Sequence, residues 1–278
     1  MIGVGSALAD AWSEGAISTK TRPPRRTLRF AIRGKWMKLP LPIPRSFRDF
    51  YAFERHVKTC RAHRGLEMPP IWYQQPVFYF SNPGSIVGND AEIFAPAGSK
   101  ELDYELELGL VIGRGGRDIP TEDAWRHVAG FTIINDFSAR DLQRQEMSVG
   151  LGPAKGKDFA TAVGPQLVAM EEFEDRIDLK NHLHLQMTGR VNGRELSRGN
   201  SADMYFTWPQ IIAHASRDAE LFPGDLFGSG TVGGGCILEL GSENTGGWLK
   251  PGDVVELEIE RIGVLRTRIV ERPVQMTR

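Results

Sequence analysis

Cysteine is scarce in this chain: of 278 residues only Cys60 and Cys236 carry a thiol. They stand far apart and have no C-x-x-C spacing, which speaks against a zinc ribbon and a disulfide framework and fits a reducing compartment. No apolar run approaches the roughly 20 residues needed to cross a bilayer. The N-terminal stretch contains Asp10 and Glu14 and lacks a basic start followed by an apolar block. No secretory leader is therefore expected, and the expected location is cytoplasmic. An excess of one charge sign is missing too. A formal net charge of -1 gives no electrostatic reason to expect nucleic acid or a membrane as partner. Long helical periodicities, internal repeats and low-complexity tracts are absent, whereas 31 glycines and 17 prolines point to many turns.

What the chain does have is the composition of a folded domain, with 41% apolar and 25% charged residues. Its length suits one large domain or a domain with a small appendage. Residues 1–26 are weakly patterned and end in Thr21-Arg22-Pro23-Pro24-Arg25-Arg26. With a strand near Leu28–Ile32 and a connection through Pro40, Pro42 and Pro44, they read as an N-terminal arm and first strand, residues 1–45. Ser46 is placed to cap a helix from Phe47 to about Arg61, with Asp49 three residues later where negative charge is favoured. Strands are expected at Val77–Phe80, Ser85–Gly88, Tyr104–Ile112, Gly130–Asn135 and Leu183–Val191, and Asn192-Gly193 has the form of a hairpin turn. Thr121–Val128, with Thr121 as cap, and Pro209–Ala215 read as short helices. Val255, Leu257 and Ile259 alternate with Glu256, Glu258 and Glu260, and Gly263 turns that strand back toward Leu265–Val270. The expected class is α+β and β-rich, with a few short helices.

The segment from Leu102 to Ile112 places Glu105 and Glu107 two residues apart in an otherwise apolar strand. Period two puts both carboxylates on one face and Tyr104, Leu106 and Leu108 on the other. Adjacent anions in a half-buried sheet repel each other and lose hydration, and a hard divalent cation is the simplest compensation. Taken alone, the pair also fits a solvated strand face. On a helix, Asp49 and His56 would share a face about 10 Å apart, a carboxylate for a metal and an imidazole for a base. A capping aspartate and a surface histidine fit that segment too.

Asn135-Asp136-Phe137-Ser138-Ala139-Arg140-Asp141-Leu142-Gln143 follows an apolar strand. Asp136 can complete a carboxylate set, while Arg140 and Gln143 can donate to an anionic substrate. A helix-initiating surface turn is the plainer alternative. In Leu151-Gly152-Pro153-Ala154-Lys155-Gly156-Lys157 a lysine in a glycine turn is either a substrate clamp or simply solvated. The phosphate-loop pattern G-x-x-x-x-G-K-[ST] is not matched. Finally, the glycine-rich stretch 228–235 leads into Cys236-Ile237-Leu238-Glu239-Leu240, where one acid interrupts an apolar run. A buried glutamate needs a partner, and a histidine held by it can deprotonate water.

Taken together, Asp49-Phe50-Tyr51-x4-His56, Glu105-x-Glu107, the segment 135–143, Leu151-Gly152-Pro153-x2-Gly156-Lys157 and Gly230-Thr231-x7-Glu239-Leu240 are ordered and spaced nearly as in the fumarylacetoacetate hydrolase family. The chain resembles that family from about residue 46 to its C-terminus. The resemblance implies a mixed β-roll or sandwich with the site at its centre, residues 46–278 as the catalytic domain, and a homodimer. It further implies Mg²⁺, or Ca²⁺ or Mn²⁺, held by Asp49, Glu105, Glu107 and Asp136. His56 would be the general base, oriented by Glu239. Arg140, Gln143 and Lys157 would stabilise developing negative charge, and Tyr51, Tyr79 and Thr231 would contact substrate.

Several positions depart from the family pattern. Only about 45 residues precede the Asp49 segment, where fumarylacetoacetases carry a substantial N-terminal domain. A pocket tyrosine falls on Met147, Arg61 and Arg64 compete for one arginine position, and the Pro153–Lys157 loop sits one residue late. These departures touch substrate choice. The implied reaction is hydrolysis of a carbon–carbon bond in a β-diketo acid, an acylpyruvate or a fumarylacetoacetate-like compound. One alternative is decarboxylation, hydration or isomerisation of a 2-oxo acid such as oxaloacetate or an oxo-dienoate. Another is a non-catalytic metal-stabilised binding protein, disfavoured because four carboxylates and a His–Glu pair exceed what structural ion binding requires.

Overall fold

The computed structural model of the protein describes residues 28–32, 35–39 and 42–273. The expected arm over residues 1–26 lies outside them. In chain order the strands are β1 (Leu28–Ile32), β2 (Lys35–Leu39), β3 (Phe47–Phe50), β4 (Phe78–Ser81), β5 (Ile86–Val87), β6 (Ala91–Ile93), β7 (Leu102–Asp103) and β8 (Leu106–Ile112). They continue with β9 (Val128–Asp136), β10 (Ser138–Ala139), β11 (Thr161–Ala169), β12 (Gln186–Val191), β13 (Arg194–Asn200), β14 (Leu226–Gly228), β15 (Val254–Ile259) and β16 (Gly263–Ile269). Seven strands form one mixed sheet in the order β4-β3-β14-β8-β9-β11-β5, and five form another in the order β13-β12-β15-β16-β6. Strands β1 and β2 pair as a separate hairpin, and β7 pairs with β10.

Both faces of the seven-stranded sheet are covered at its centre, which explains why all seven residues of β8 are buried. Leu106, Leu108 and Leu110 enter the main core beside Phe131, Ile133 and Leu257. Each fully buried leucine contributes about 2 kcal/mol. On the opposite face Val111 joins Phe47, Ile134 and Leu226 in a second, smaller cluster. Glu105 and Glu107 share that second face, so no solvated strand face exists for them. The Asn192-Gly193 turn takes φ of 53° and 76°, the positive values a two-residue hairpin requires. Along β15, Val255, Leu257 and Ile259 are buried and alternate with half-buried neighbours, as the sequence pattern predicts.

The helix expected from Phe47 is instead a strand followed by a helix. Phe47–Phe50 pairs in parallel with β14 and antiparallel with β4, and the helix spans Glu54–Ala62. The spacing of Phe47, Phe50 and Phe53 mimics a helical face. A strand covered on both faces buries its aromatic residues whatever their parity, and that packing wins here. Ser46 caps nothing; its hydroxyl accepts from Arg48 Nη1 at 2.6 Å. Asp49 and His56 therefore share no helical face. Thr121–His127 is a 3-10 helix whose cap position is Pro120, not Thr121.

Candidate active site

The strand order brings Asp49 and Glu107 together across an intervening strand. Asp49 on β3 is opposite Tyr79 on β4 and Gly228 on β14, and β14 separates β3 from β8. A side chain at position 228 would block the space between them. A Cβ there would lie 2.3 Å from Asp49 Oδ1 and 2.8 Å from Glu107 Oε2. With glycine in place, ligand oxygens of Asp49, Glu105 and Glu107 all lie within 4.8 Å of one another. Asp49 Oδ1 and both carboxylate oxygens of Glu107 are buried without a hydrogen-bond partner. Burial, together with the Asp136 charge, raises the Asp49 pKa well above its ordinary value. Burial and the Asp49 charge do the same to Glu107.

Two buried cations partly offset this charge. Lys157 Nζ donates to Glu105 Oε2 at 2.5 Å and to Asp136 Oδ2 at 2.8 Å. Arg140 donates to Glu105 Oε1 at 2.8 Å, to Asp103 Oδ2 at 2.8 Å and to Gln143 Oε1 at 3.0 Å. Burial opposes the Lys157 charge, but Asp136 and Glu105 outweigh it and raise its pKa. Tyr79 donates toward Asp136 Oδ2 and lies 3.2 Å from Asp49 Oδ2, while Thr161 Oγ1 donates to Asp136 Oδ1 at 3.0 Å. Asp136 thus stands beside the cluster with both oxygens engaged by side-chain donors. Among the described residues, the five buried carboxylates of Asp49, Asp103, Glu105, Glu107 and Asp136 stand with two buried cations, Arg140 and Lys157, which form ion pairs with Asp103, Glu105 and Asp136. Orphaned hard oxygen donors with an excess of negative charge fit a divalent cation of the Mg²⁺, Mn²⁺ or Ca²⁺ kind.

His56 lies on the helix Glu54–Ala62 and is buried. Its Nδ1 is 2.7 Å from Glu239 Oε2. Glu239 belongs to the one-turn helix Ile237–Leu240, and its other oxygen accepts from Gly234 N at 3.0 Å. Burial alone would lower the His56 pKa; contacts with Cys236 and Glu239 reverse this and hold it up at about 10. Burial pushes the Cys236 thiol well above its ordinary range, so Glu239 is the group that supplies the negative charge. Burial works against the Glu239 carboxylate as well, but His56 more than compensates and lowers its pKa.

Asp103 was not among the site residues expected from sequence, yet it joins the two halves of the site. Its Oδ1 accepts from Ile237 N at 2.7 Å, and its Oδ2 accepts from Leu238 N at 3.1 Å as well as from Arg140. One carboxylate therefore anchors both the turn carrying Glu239 and the guanidinium holding Glu105. A signal for it was present, because period two places Asp103 on the same face as Glu105 and Glu107. The placement of Cys60 and Cys236 around His56 left no such trace.

A family model described as fumarylacetoacetate (FAA) hydrolase C-terminal matches residues 45–270. The chain belongs to the fumarylacetoacetate hydrolase family. It is 32% identical over 253 residues to a fumarylacetoacetase of Arabidopsis thaliana, covering 73% of this chain and 60% of the plant protein. It is 36% identical over 199 residues to a mitochondrial oxaloacetate tautomerase of Homo sapiens, covering 71% of this chain and 60% of the human protein. The chain thus spans about six-tenths of the length of these relatives. The fold matches a fumarylpyruvate hydrolase from Pseudomonas aeruginosa solved with Mn²⁺ and pyruvate, at a TM-score of 0.67 and 23% identity, covering 91% of this chain and 99% of that one. Proteins of this family are enzymes that act on small molecules, hydrolases and tautomerases among them. Among the described residues, no helix is long and apolar enough to cross a membrane.

The carboxylate cluster and His56 line one cavity of about 310 Å³. Tyr51, Tyr79, Gln143, Lys157 and Thr231 also reach its wall. The Thr231 hydroxyl is buried without a partner, so it is free to bond a ligand. Glu239 stands behind His56, and Arg140, engaged by Asp103, Glu105 and Gln143, also reaches the cavity wall. Met147, Arg61 and Arg64 all line the cavity. Arg61 Nε donates to Glu67 O at 2.6 Å, and Arg64 Nε donates to Cys60 O at 3.3 Å.

Proposed function

We propose that this protein is a divalent-cation-dependent hydrolase that cleaves a carbon–carbon bond in a β-diketo acid, an acylpyruvate or a fumarylacetoacetate-like compound. The observation that carries this reading is the buried His56–Glu239 pair standing across one cavity from orphaned carboxylate oxygens. A divalent cation held by Asp49, Glu105 and Glu107, with Asp136 beside them, supplies Lewis-acid stabilisation of negative charge developing on substrate oxygens. The Mn²⁺ of the Pseudomonas structure supports that choice of cofactor. Glu239 engages Nδ1 of His56 and leaves Nε2 to take a proton from water. The water oxygen adds to a carbonyl carbon, and the bonding pair of the cleaved bond passes to the 2-oxo acid fragment, which leaves as an enolate and is protonated. Thr231 Oγ1, the amide nitrogen of Gln143 and the Tyr51 hydroxyl are donors placed to bond substrate oxygens, and Tyr51 packs edge-on against the His56 ring. Lys157 keeps Glu105 and Asp136 at bonding distance. The Arg64 guanidinium at the cavity wall suits a carboxylate at the far end of the acid.

A second reading is isomerisation or decarboxylation of a 2-oxo acid, and one observation favours it. Cys236 and Glu239 raise the His56 pKa, which favours an imidazole that hands a proton between carbon and oxygen without a water nucleophile. The human tautomerase relative points the same way. A metal-supplemented screen of acylpyruvates, fumarylacetoacetate analogues and oxaloacetate, scored separately for C–C cleavage, CO₂ release and keto–enol exchange, decides between them. C–C cleavage that survives His56→Ala at near-wild-type rate would remove the hydrolytic reading. Family resemblance also supports a homodimer, and sedimentation showing only a species near 31 kDa rejects it.

A further inference from the structure

The two cysteines, scattered in sequence, are gathered around the dyad. Cys60 sits one helical turn after His56, and its Sγ lies 3.7 Å from Nδ1 and 3.8 Å from Nε2. Cys236 Sγ lies 3.6 Å from Glu239 Oε2. Ligand atoms of His56, Cys236 and Glu239 all fall within 4.8 Å of one another. We propose that His56, Cys236 and Glu239, with Cys60 beside the imidazole ring, form a second cation site that takes a borderline-soft divalent ion such as Zn²⁺ and, in doing so, captures the dyad.

The spacing supports this. Metal–nitrogen bonds of about 2.0 Å and metal–sulfur bonds of about 2.3 Å at tetrahedral angles put ligand atoms about 3.3–3.8 Å apart. The 3.6 Å contact of Cys236 Sγ with Glu239 Oε2 lies in that range. The 2.7 Å pair of Nδ1 and Oε2 opens by roughly half an ångström as a metal ion replaces the shared proton. The chemistry also separates this site from its neighbour. Asp49, Glu105 and Glu107 offer only oxygen and suit hard cations, whereas a thiol with an imidazole and one carboxylate suits Zn²⁺ or Co²⁺. The Cys236 thiol gives up its proton as the metal–sulfur bond forms, so binding strengthens with pH. An entry path exists, because His56 and Cys60 both line the cavity. The filled site would withdraw His56 from proton transfer whichever reaction the dyad performs.

Cobalt tests the site directly. The full chain, saturated with Mg²⁺ to occupy the carboxylate cluster, is titrated with Co²⁺ and watched for sulfur-to-cobalt charge-transfer absorption. The chain has two cysteines in all, so any such band reports on this pair. The expected result is a band saturating at one equivalent and bleached by Zn²⁺. Its apparent affinity should fall at least tenfold in Cys236→Ser and in His56→Ala, and stay within twofold in Glu107→Ala. Near-ultraviolet circular dichroism verifies that each variant is folded. Should Cys236→Ser fail to fold, His56→Ala carries the test. No band in the wild type overturns the proposal. A band that His56→Ala leaves unchanged overturns it too, since the thiols would then bind without the dyad. Turnover with Mg²⁺ is not a readout here, so a wrong reaction assignment leaves the result interpretable.

Discussion

His56 Nδ1 stands 2.7 Å from Glu239 Oε2 although 183 positions separate them in the chain. The pKa of His56 is raised from 6.5 to about 10, so its contribution to stability is complete below pH 6.5 and is lost as pH rises toward 10. Glu239 is depressed, so its contribution is present above its ordinary 4.5 and is lost as pH falls through the lower folded value. The melting-temperature gap between wild type and Glu239→Gln should therefore be widest between about pH 5 and 6.5 and close toward pH 10. Calorimetry of both proteins across that range checks it. Turnover that requires neutral His56 should rise on the alkaline side in the wild type and shift to lower pH in Glu239→Gln. A variant profile that coincides with the wild type would mean that Glu239 does not set the imidazole's charge.

Removing the base is a sharper test of the same pair. His56→Ala should cut C–C hydrolysis by a factor on the order of 10²–10⁴, the usual contribution of a positioned base. Thermal stabilisation by Mg²⁺ should persist, because the imidazole lies outside the oxygen-donor cluster. Single-turnover kinetics and melting curves, measured on one preparation, check both halves of the prediction.

Glu107 is fully buried with neither carboxylate oxygen bonded. Glu107→Gln should raise the melting temperature of the metal-free protein, because it removes repulsion from Asp49 and Glu105. It should also abolish the increase that saturating Mg²⁺ or Mn²⁺ produces in the wild type, an increase that linkage requires of any ligand bound only by the folded state. Equal melting temperatures of metal-free and metal-supplemented wild type would show that the cluster holds no cation.

Gly228 makes the cluster possible by leaving the gap between Asp49 and Glu107 open. Gly228→Ala should destabilise the protein by about 1–3 kcal/mol, the usual cost of overpacking, and weaken metal binding at least tenfold. Isothermal titration with Mn²⁺ measures the second effect. Metal affinity unchanged in a folded Gly228→Ala protein would show that the carboxylates converge without that gap.

Asp103 ties Arg140 to the turn carrying Glu239. Asp103→Asn leaves a buried guanidinium short of one anionic partner, which should cost about 3 kcal/mol in denaturant unfolding. Turnover should fall with it, since the Ile237–Leu240 turn loses its anchor. Stability within 1 kcal/mol of wild type would show that Glu105 alone satisfies Arg140.

The chemistry-bearing residues were legible in sequence because their motifs are local. Period two placed Glu105 and Glu107 on one face, and an acid inside an apolar run marked Glu239. The Asn192-Gly193 hairpin and the alternating C-terminal strand were legible for the same reason, since backbone propensity and side-chain alternation act over a few residues. The reading failed at Phe47–Phe50, where aromatic spacing imitates a helix and only the strands on either side decide for sheet. Likewise, convergence of Asp49 and Glu107 depends on strand order and on a missing Cβ between them. The two thiols meet at His56 because a helix and a distant one-turn helix pack together. Local pattern thus determined which groups this protein possesses; long-range pairing, which no short window of sequence encodes, decided which of them touch.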